Sequence, residues 1–374
     1  MIRGGVDWIC VLQICVNMMP QSTWSTITHL FGWFSFLIAI WATITLFVLI
    51  EKKSRKEFGG YKNFLRIYCC YAFLFCVVDW LVQPYAVVDI YGIGYVFYSE
   101  NRLFDMGYSV THLLQVLYCG CFVASSSFLS LNFIYRYISS CHRHWLHHFQ
   151  GLGLIIVILY CVLPFLIWSF CVTVFLGPTP EMTAYFNIST MYIEQFDLTD
   201  KPYHVSTTPF HQVGDVNWGT MGSFIGLGCF QVLFYGISLV CGILTYKNNM
   251  KLLKLAQLSK NLYKTQMQLL RAIVMQAVTP LIFVYIPPAI IITGSVTGIY
   301  VGELGHFVVM SISMYPPLDS LVFLLSIRDY RNALFCNTKT DSRSESSNIR
   351  PATAKVSVRN REWSGLNLEF SNET

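Results

Sequence analysis

Apolar side chains run along this chain in seven long blocks, each ended by a polar, charged or proline-bearing stretch. The blocks cover residues 24–50, 64–88, 109–135, 151–176, 219–245, 269–294 and 304–327. Each reaches the roughly 20 residues that an α-helix needs to cross hydrocarbon. Lipid offers no water to an open backbone, so helices are the form such blocks take. The ten-residue alternation of a membrane barrel is absent, and no internal repeat of the inverted-transporter kind stands out. The pattern predicts an all-α membrane protein, a seven-transmembrane helix bundle at 24–327. An N-terminal segment, 1–23, precedes it, and a tail, 328–374, follows it.

Composition agrees. Of 374 residues, 54% are hydrophobic and only 12% charged, against about 25% charged in soluble domains. Lys and Arg set the expected orientation. The connections after the first, third and fifth blocks and the tail, with Arg66 and Arg271 at the adjoining block edges, hold 22 of the 25 basic residues, leaving Arg3, Arg102 and Lys201 on the other side. Basic residues are retained in the cytoplasm, so the amino terminus is expected outside and the tail inside. The first 23 residues contain a short apolar run, "WICVLQICVNMM", too brief to span. They read as an extracellular segment lying on the bundle, with a cleaved or inserting signal as the alternative. Within the tail, Tyr330, Leu334 and Phe335 suit a short amphipathic helix, Cys336 a palmitoylation point, and the polar remainder a disordered stretch carrying serines open to phosphorylation. On the expected outer side, the loop 177–218 carries the sequon Asn187-Ile188-Ser189.

Several residues are costly in lipid. Pro316 and Pro317 each remove a backbone donor and kink a helix. Asp319 beside them should face the bundle interior, because exposure to lipid costs at least about 2.5 kcal/mol. Asp79, midway along the second block, is its natural counterpart. The two carboxylates are expected to share a proton or a cation in one pocket, or else simply to bond backbone at a kink. Gln276, Pro280, Pro287 and Pro288 place a similar device in the sixth block, with Pro280 as a candidate hinge. Lys247, Lys251 and Lys254 share one helix face and suit either an acidic protein partner or lipid headgroups. The cluster at His144, His147 and His148 has metal-box spacing but lacks the further boxes such a centre needs. No metal or other cofactor, and no nucleic acid, is expected. Nucleophile elbows, phosphate loops and paired acid/base motifs are absent, which argues against an enzyme. Most of the thirteen cysteines sit in apolar runs, as small core hydrophobes.

Four stretches together carry a resemblance. "KKSRKEFGGYKNFL" with "VVDWLVQP", "FIYRY" at 133–137, "SKNLYKTQMQLLRAIVMQAVTPLIFVYIPP", and "YPPLDSL" with "IRDYR" stand in order from about Trp24 to Arg331. The chain resembles the Str class of nematode serpentine chemoreceptors, seven-helix G-protein-coupled receptors. It departs from that pattern in three places: the family's asparagine near Thr43 is missing, D-P-L is replaced by Asp319-Ser320-Leu321, and the extension before Trp24 is longer than usual. The loop 177–218 contains no cysteine, so the disulfide that ties this loop to the third helix in rhodopsin-like receptors cannot form.

The resemblance implies an olfactory-type receptor in the plasma membrane, in a sensory cilium, that binds a small odorant and activates a heterotrimeric G protein. It also implies arrestin and a receptor kinase as partners of the tail. Candidate ligand residues are Trp80, Gln83, His112, Gln115, Tyr118, Tyr285 and His306. No acid lies in the outer half of the third block, so a neutral ligand suits better than an amine. Candidate G-protein-facing residues are Arg136, Tyr137, Lys251, Lys254, Lys264 and Arg271. Arg136 stands where other receptors hold an ionic latch, without the adjacent acid. A ligand-gated cation channel or a small-molecule transporter is the alternative.

Overall fold

The computed structural model describes residues 21–53, 60–88, 94–99, 106–193, 197–199, 201–207, 218–255, 274–297, 304–326 and 328–334. Seven helices among them are long and apolar enough to cross a membrane. In chain order the elements are α1 Gln21–Lys53, α2 Gly60–Val82, β1 Pro84–Val88, β2 Gly94–Ser99, α3 Tyr108–Cys141, α4 Gly153–Phe175, α5 Pro180–Ile193, β3 Tyr203–Thr207 and α6 Trp218–Leu255. They continue with α7, residues 274–297 with a π turn at Leu281–Tyr285, then α8 Leu304–Ser326 and α9 Arg328–Leu334. α5 and α9 are short, and the other seven are the spans.

α3 is the central strut, buried almost continuously from Gly120 to Phe133. Its serines return their hydroxyls to the helix: Ser125 to the Phe122 carbonyl, Ser127 to Ala124 and Ser130 to Ser127. That satisfies each hydroxyl without water, which an apolar interior requires. Helices at the rim show the opposite balance. Leu30, Phe34 and Leu37 of α1, Ile156 of α4 and Val232 of α6 point outward, the side that meets lipid. The face of α1 turned to α8 carries Thr28, Ser35, Ala39 and Ala42, all buried. Small side chains let two backbones approach closely where no hydrophobic drive separates helix from lipid.

Two features differ from the sequence reading. The second span ends at Val82, not at 88. Pro84 disfavours helix at the residue before it, and Gln83 takes a φ of 45°, turning the chain into β1. The second difference is a three-stranded antiparallel sheet, in the order β1-β2-β3, closing one end of the bundle. Its register places Tyr85 opposite Tyr98 and Tyr98 opposite Tyr203; the next row is Ala86, Phe97 and His204. Side chains alternate across a strand, so the tyrosine row meets Phe186 of α5 and Leu198 on the outer face, whereas Ala86 and Phe97 join the bundle core.

Pro316 and Pro317 lie inside α8, which continues through them. Pro317 cannot donate to the Ser313 carbonyl four residues back, and the Ser35 hydroxyl of α1 takes that carbonyl at 2.5 Å. A freed backbone acceptor is thus paired by a neighbouring helix, as a low-dielectric interior demands.

Candidate functional site

Beneath the sheet lies an apolar cavity of about 130 Å³. The strands supply Ala86, Tyr95, Phe97 and His204 as its roof, α3 supplies Tyr118, Cys119 and Phe122, and α4 supplies Trp168 and Val172. Leu227 of α6, Pro288 and Ile291 of α7, and Val309 and Ile312 of α8 complete the wall. Aromatic packing sets its shape: Phe97 stacks on Tyr118 with centroids 5.5 Å apart, and Phe75 leans on Tyr118 at 5.8 Å. An apolar cavity of about this size stays dry and admits a molecule such as benzene.

Two polar groups break the apolar wall. The buried Tyr118 hydroxyl has no hydrogen-bond partner. His204 is 4% exposed, and its ring nitrogens complete no hydrogen bond. Burial first, then neighbouring His112 with its ring 5.4 Å away, depress the His204 pKa from 6.5 to about 3, against a weaker opposing pull from the Leu176 carbonyl. The imidazole is therefore neutral in the fold and offers one donor and one acceptor. Unpaired buried polar atoms carry a desolvation penalty of about 1–3 kcal/mol, which a ligand with a matching polar group relieves.

The same burial makes stability depend on pH. Below the ordinary value, the unfolded chain takes up a proton that the folded chain refuses until about pH 3. Stability therefore falls as pH drops through that window, by about 1 kcal/mol between pH 6.5 and 5.5. Melting temperatures of the purified receptor at the two pH values, compared with those of His204→Phe, check this. The variant should lose that part of the difference.

Of the other ligand candidates, Gln115 is fully buried and donates from Nε2 to the Pro202 carbonyl at 3.0 Å. It ties the β3 segment to α3, at the place where no disulfide is available. His112 sits beside His204, behind the cavity wall. Tyr285 packs on Tyr235 of α6 at 4.8 Å. His306 bonds the Thr28 hydroxyl at 3.2 Å and stacks on Trp24. Trp80 and Gln83 line a separate space of about 30 Å³ between α1, α2 and α8. Trp80 there is held by Phe36 at 4.7 Å and Trp33 at 5.1 Å. Only Tyr118 of the seven stands in the cavity wall. His204, Tyr95, Phe97 and Trp168 were not among them; the signal for His204 was the alternation in Tyr203-His204-Val205, which is too short to read alone.

The two buried carboxylates have different partners. Asp79 accepts from the Ser313 hydroxyl at 2.9 Å. Asp319 accepts from the Tyr68 hydroxyl, and from Tyr315 at 3.4 Å. Their contacts on α8 lie six residues, or about 9 Å, apart, and Asp79 borders the small second space whereas Asp319 does not. The expected shared pocket is thus replaced by two separate hydrogen-bonded sites. Two of the departures from the Str pattern, near Thr43 and at Ser320, lie together between the helices: Thr43 and Ser320 bond through their hydroxyls at 3.2 Å.

Toward the α9 end, Arg136 Nε donates to the side-chain Oδ1 of Asn132, and Asn132 Nδ2 donates to Gln276 Oε1, each at 3.4 Å. An amide chain joins α3 to α7 where an acid would otherwise hold the arginine. Pro280 caps the π turn that follows, and Tyr235 donates to the Ala277 carbonyl beside it at 3.4 Å. π turns are weak points in a helix and occur at functional positions. Tyr137 bonds His142 at 3.2 Å, and Lys251 is exposed at the end of α6. His144, His147 and His148 are exposed, with the last two rings 3.9 Å apart. Lys264, Arg271 and Cys336 lie outside the described residues, as do 1–20, and of Lys254 only the helical backbone is described. Asn187 lies in α5 and accepts the Leu198 backbone N–H at 2.8 Å.

Seven membrane-length helices around a buried polar core, with a roofed apolar cavity at one end, define a multi-pass membrane protein of the seven-helix receptor class. Residues 28–335 match the family model described as serpentine type 7TM GPCR chemoreceptor Str, and the chain belongs to that family. It is similar to serpentine receptor class r-10 of Caenorhabditis briggsae, with 25% identity over 88% of this chain and 96% of that protein. The protein of that description in Caenorhabditis elegans is 23% identical over 90% of this chain and 99% of its own length. G-protein coupled receptor str-33 of Caenorhabditis elegans is 23% identical over 80% of this chain and 88% of that protein. Membership makes this a chemoreceptor of the G-protein-coupled type and not an enzyme.

Proposed function

We propose that this receptor detects a small, neutral, mainly apolar odorant held in the cavity beneath the sheet, and passes the signal to a heterotrimeric G protein at the α9 end. The observation that supports this most is the apolar cavity whose wall includes Tyr118, with an unpaired hydroxyl, and the neutral imidazole of His204. Pockets for small molecules are mostly apolar with a few polar anchors. The basic side of the chain, with 22 of 25 Lys and Arg, supports an orientation with the sheet outside and α9 inside. Arg136, Tyr137 and Lys251 then face the G protein, and the Arg136–Asn132–Gln276 chain is the contact that activation breaks, with Pro280 and its π turn as hinge. A tail rich in serine suits a receptor kinase and arrestin, and a sensory cilium is the expected location.

The test is a panel of neutral volatile compounds applied to cells that express the full chain with a promiscuous G-protein α-subunit. For an agonist so found, Tyr118→Phe and His204→Phe should each raise the concentration needed by about tenfold, the effect of losing roughly 1.4 kcal/mol. Leu163→Ala, on the lipid side of α4, should leave it unchanged. If both cavity variants reach the cell surface and keep normal potency, the ligand lies elsewhere.

A further inference from the structure

Resting on that reading of the cavity, we propose that ligands enter it from the bilayer, through a gap between the sheet-end halves of α6 and α7, and not from water through the roof.

The roof is closed at every edge described. β1, β2 and β3 form a continuous hydrogen-bonded sheet. The Ser99 hydroxyl fastens β2 to the Val82 carbonyl at the end of α2. The Val205 N–H fastens β3 to the Leu176 carbonyl of the α4 end at 3.1 Å, and Gln115 fastens the Pro202 carbonyl to α3. A second layer covers the sheet, because Phe186 of α5 and Leu198 pack on its outer tyrosines. Opening this end means breaking several ladder bonds and exposing a buried aromatic cluster together.

The side wall is built differently. α6 and α7 meet at Tyr235, whose ring lies 4.8 Å from Tyr285 and whose hydroxyl reaches the Ala277 carbonyl. Eight residues, about 12 Å, nearer the sheet, the two helices belong to different clusters. Leu227 of α6 packs with Val116, Trp168 and Val172 of α3 and α4, whereas Ile291 of α7 packs with Val308 and Val309 of α8. Between those clusters is the cavity, which is not fully enclosed. Gly226 and Gly228 flank Leu227, and a Cβ at either would meet no heavy atom within 4 Å. Gly226 is half-buried and Gly228 exposed, so α6 carries no side chain on either side of Leu227. An apolar molecule is drawn from water into lipid first, and from there the gap is its shortest way in. The ligand class that follows is lipophilic molecules that partition into membrane, not hydrophilic ones.

Cys119 lines the cavity and is free, so its modification reports access without an agonist. The full chain in lipid nanodiscs is treated with methyl methanethiosulfonate, small and neutral, or with its trimethylammonium-ethyl analogue, permanently charged. Either reagent forms a mixed disulfide with the cysteine sulfur and releases methanesulfinate and the thiol proton. Mass spectrometry then measures modification at Cys119 itself. The neutral reagent should modify it and the charged one should not. Gly226→Phe or Gly228→Phe, which fill open space, should slow the neutral reaction by about tenfold in at least one case, an added entry barrier of roughly 1.4 kcal/mol. Gln115→Ala, which loosens the roof, should not accelerate it. Modification by the charged reagent, acceleration in Gln115→Ala, unchanged rates in both phenylalanine variants, or no modification by either reagent overturns the lateral route. The agonist test on Tyr118 and His204 is independent of these outcomes, so the cavity reading and the route fail separately.

Discussion

Gly305→Ala is expected to disable the sheet end of the receptor, at a cost of about 3 kcal/mol, the upper part of the range for an overpacked core. Gly305 opens α8 directly beneath β1, and a methyl group added there would run into the Ala86 carbonyl oxygen. That neighbour is backbone, paired in the sheet opposite Phe97, so it cannot swing aside as a side chain would. Relief requires β1 to lift from α8, taking Ala86 and Phe97 from the cavity roof. Gly222→Ala on α6 is the control, since a Cβ there meets nothing within 4 Å. Thermal melting of the two variants in detergent separates them: a large fall for Gly305→Ala and little change for Gly222→Ala. Equal melting temperatures would show that β1 does not seat on α8 as described.

Tyr68→Phe is expected to cost about 2–3 kcal/mol. Its hydroxyl is the close donor to Asp319, with Tyr315 a longer second one, and all three side chains are buried. Removing one donor leaves a buried carboxylate oxygen short of a partner, which costs more than the bond itself contributes. The double variant Tyr68→Phe with Asp319→Asn should recover part of the loss, because an amide is less costly to leave under-bonded than a carboxylate. A double-mutant cycle of melting free energies measures the coupling. Additive losses would mean that Tyr68 and Asp319 do not act on each other.

Much of this was legible in the chain. Seven blocks gave seven spans because length and hydropathy are all that crossing a membrane requires. Costly residues also marked the interior: Asp79, Gln276 and Asp319 are all buried, as lipid exposure would be prohibitive. The partners of those residues were not legible. Nothing in the sequence says that Ser35 answers the carbonyl left by Pro317, or that Thr43 and Ser320, far apart in the chain, meet where the Str pattern is broken. Pairing Asp79 with Asp319 was reasonable by spacing, but the rotation of α8 gives each carboxylate a different hydroxyl.

The sheet shows where local pattern stops. β1 looked like the end of a span, since Ala86, Val87 and Val88 are as apolar as the helix before them, and β3 pairs with β2 across more than a hundred residues. The chain alone determined its class, its spans, the side on which basic residues gather and the residues lipid will not accept, because each follows from transfer energies that depend on local composition. Tertiary structure alone decided that His204 becomes part of a cavity wall, and that Gln115 serves as a tie and Tyr118 as a face. Those outcomes depend on how rigid elements rotate and pair at long range, where a few ångströms of packing separate an anchor from a bystander.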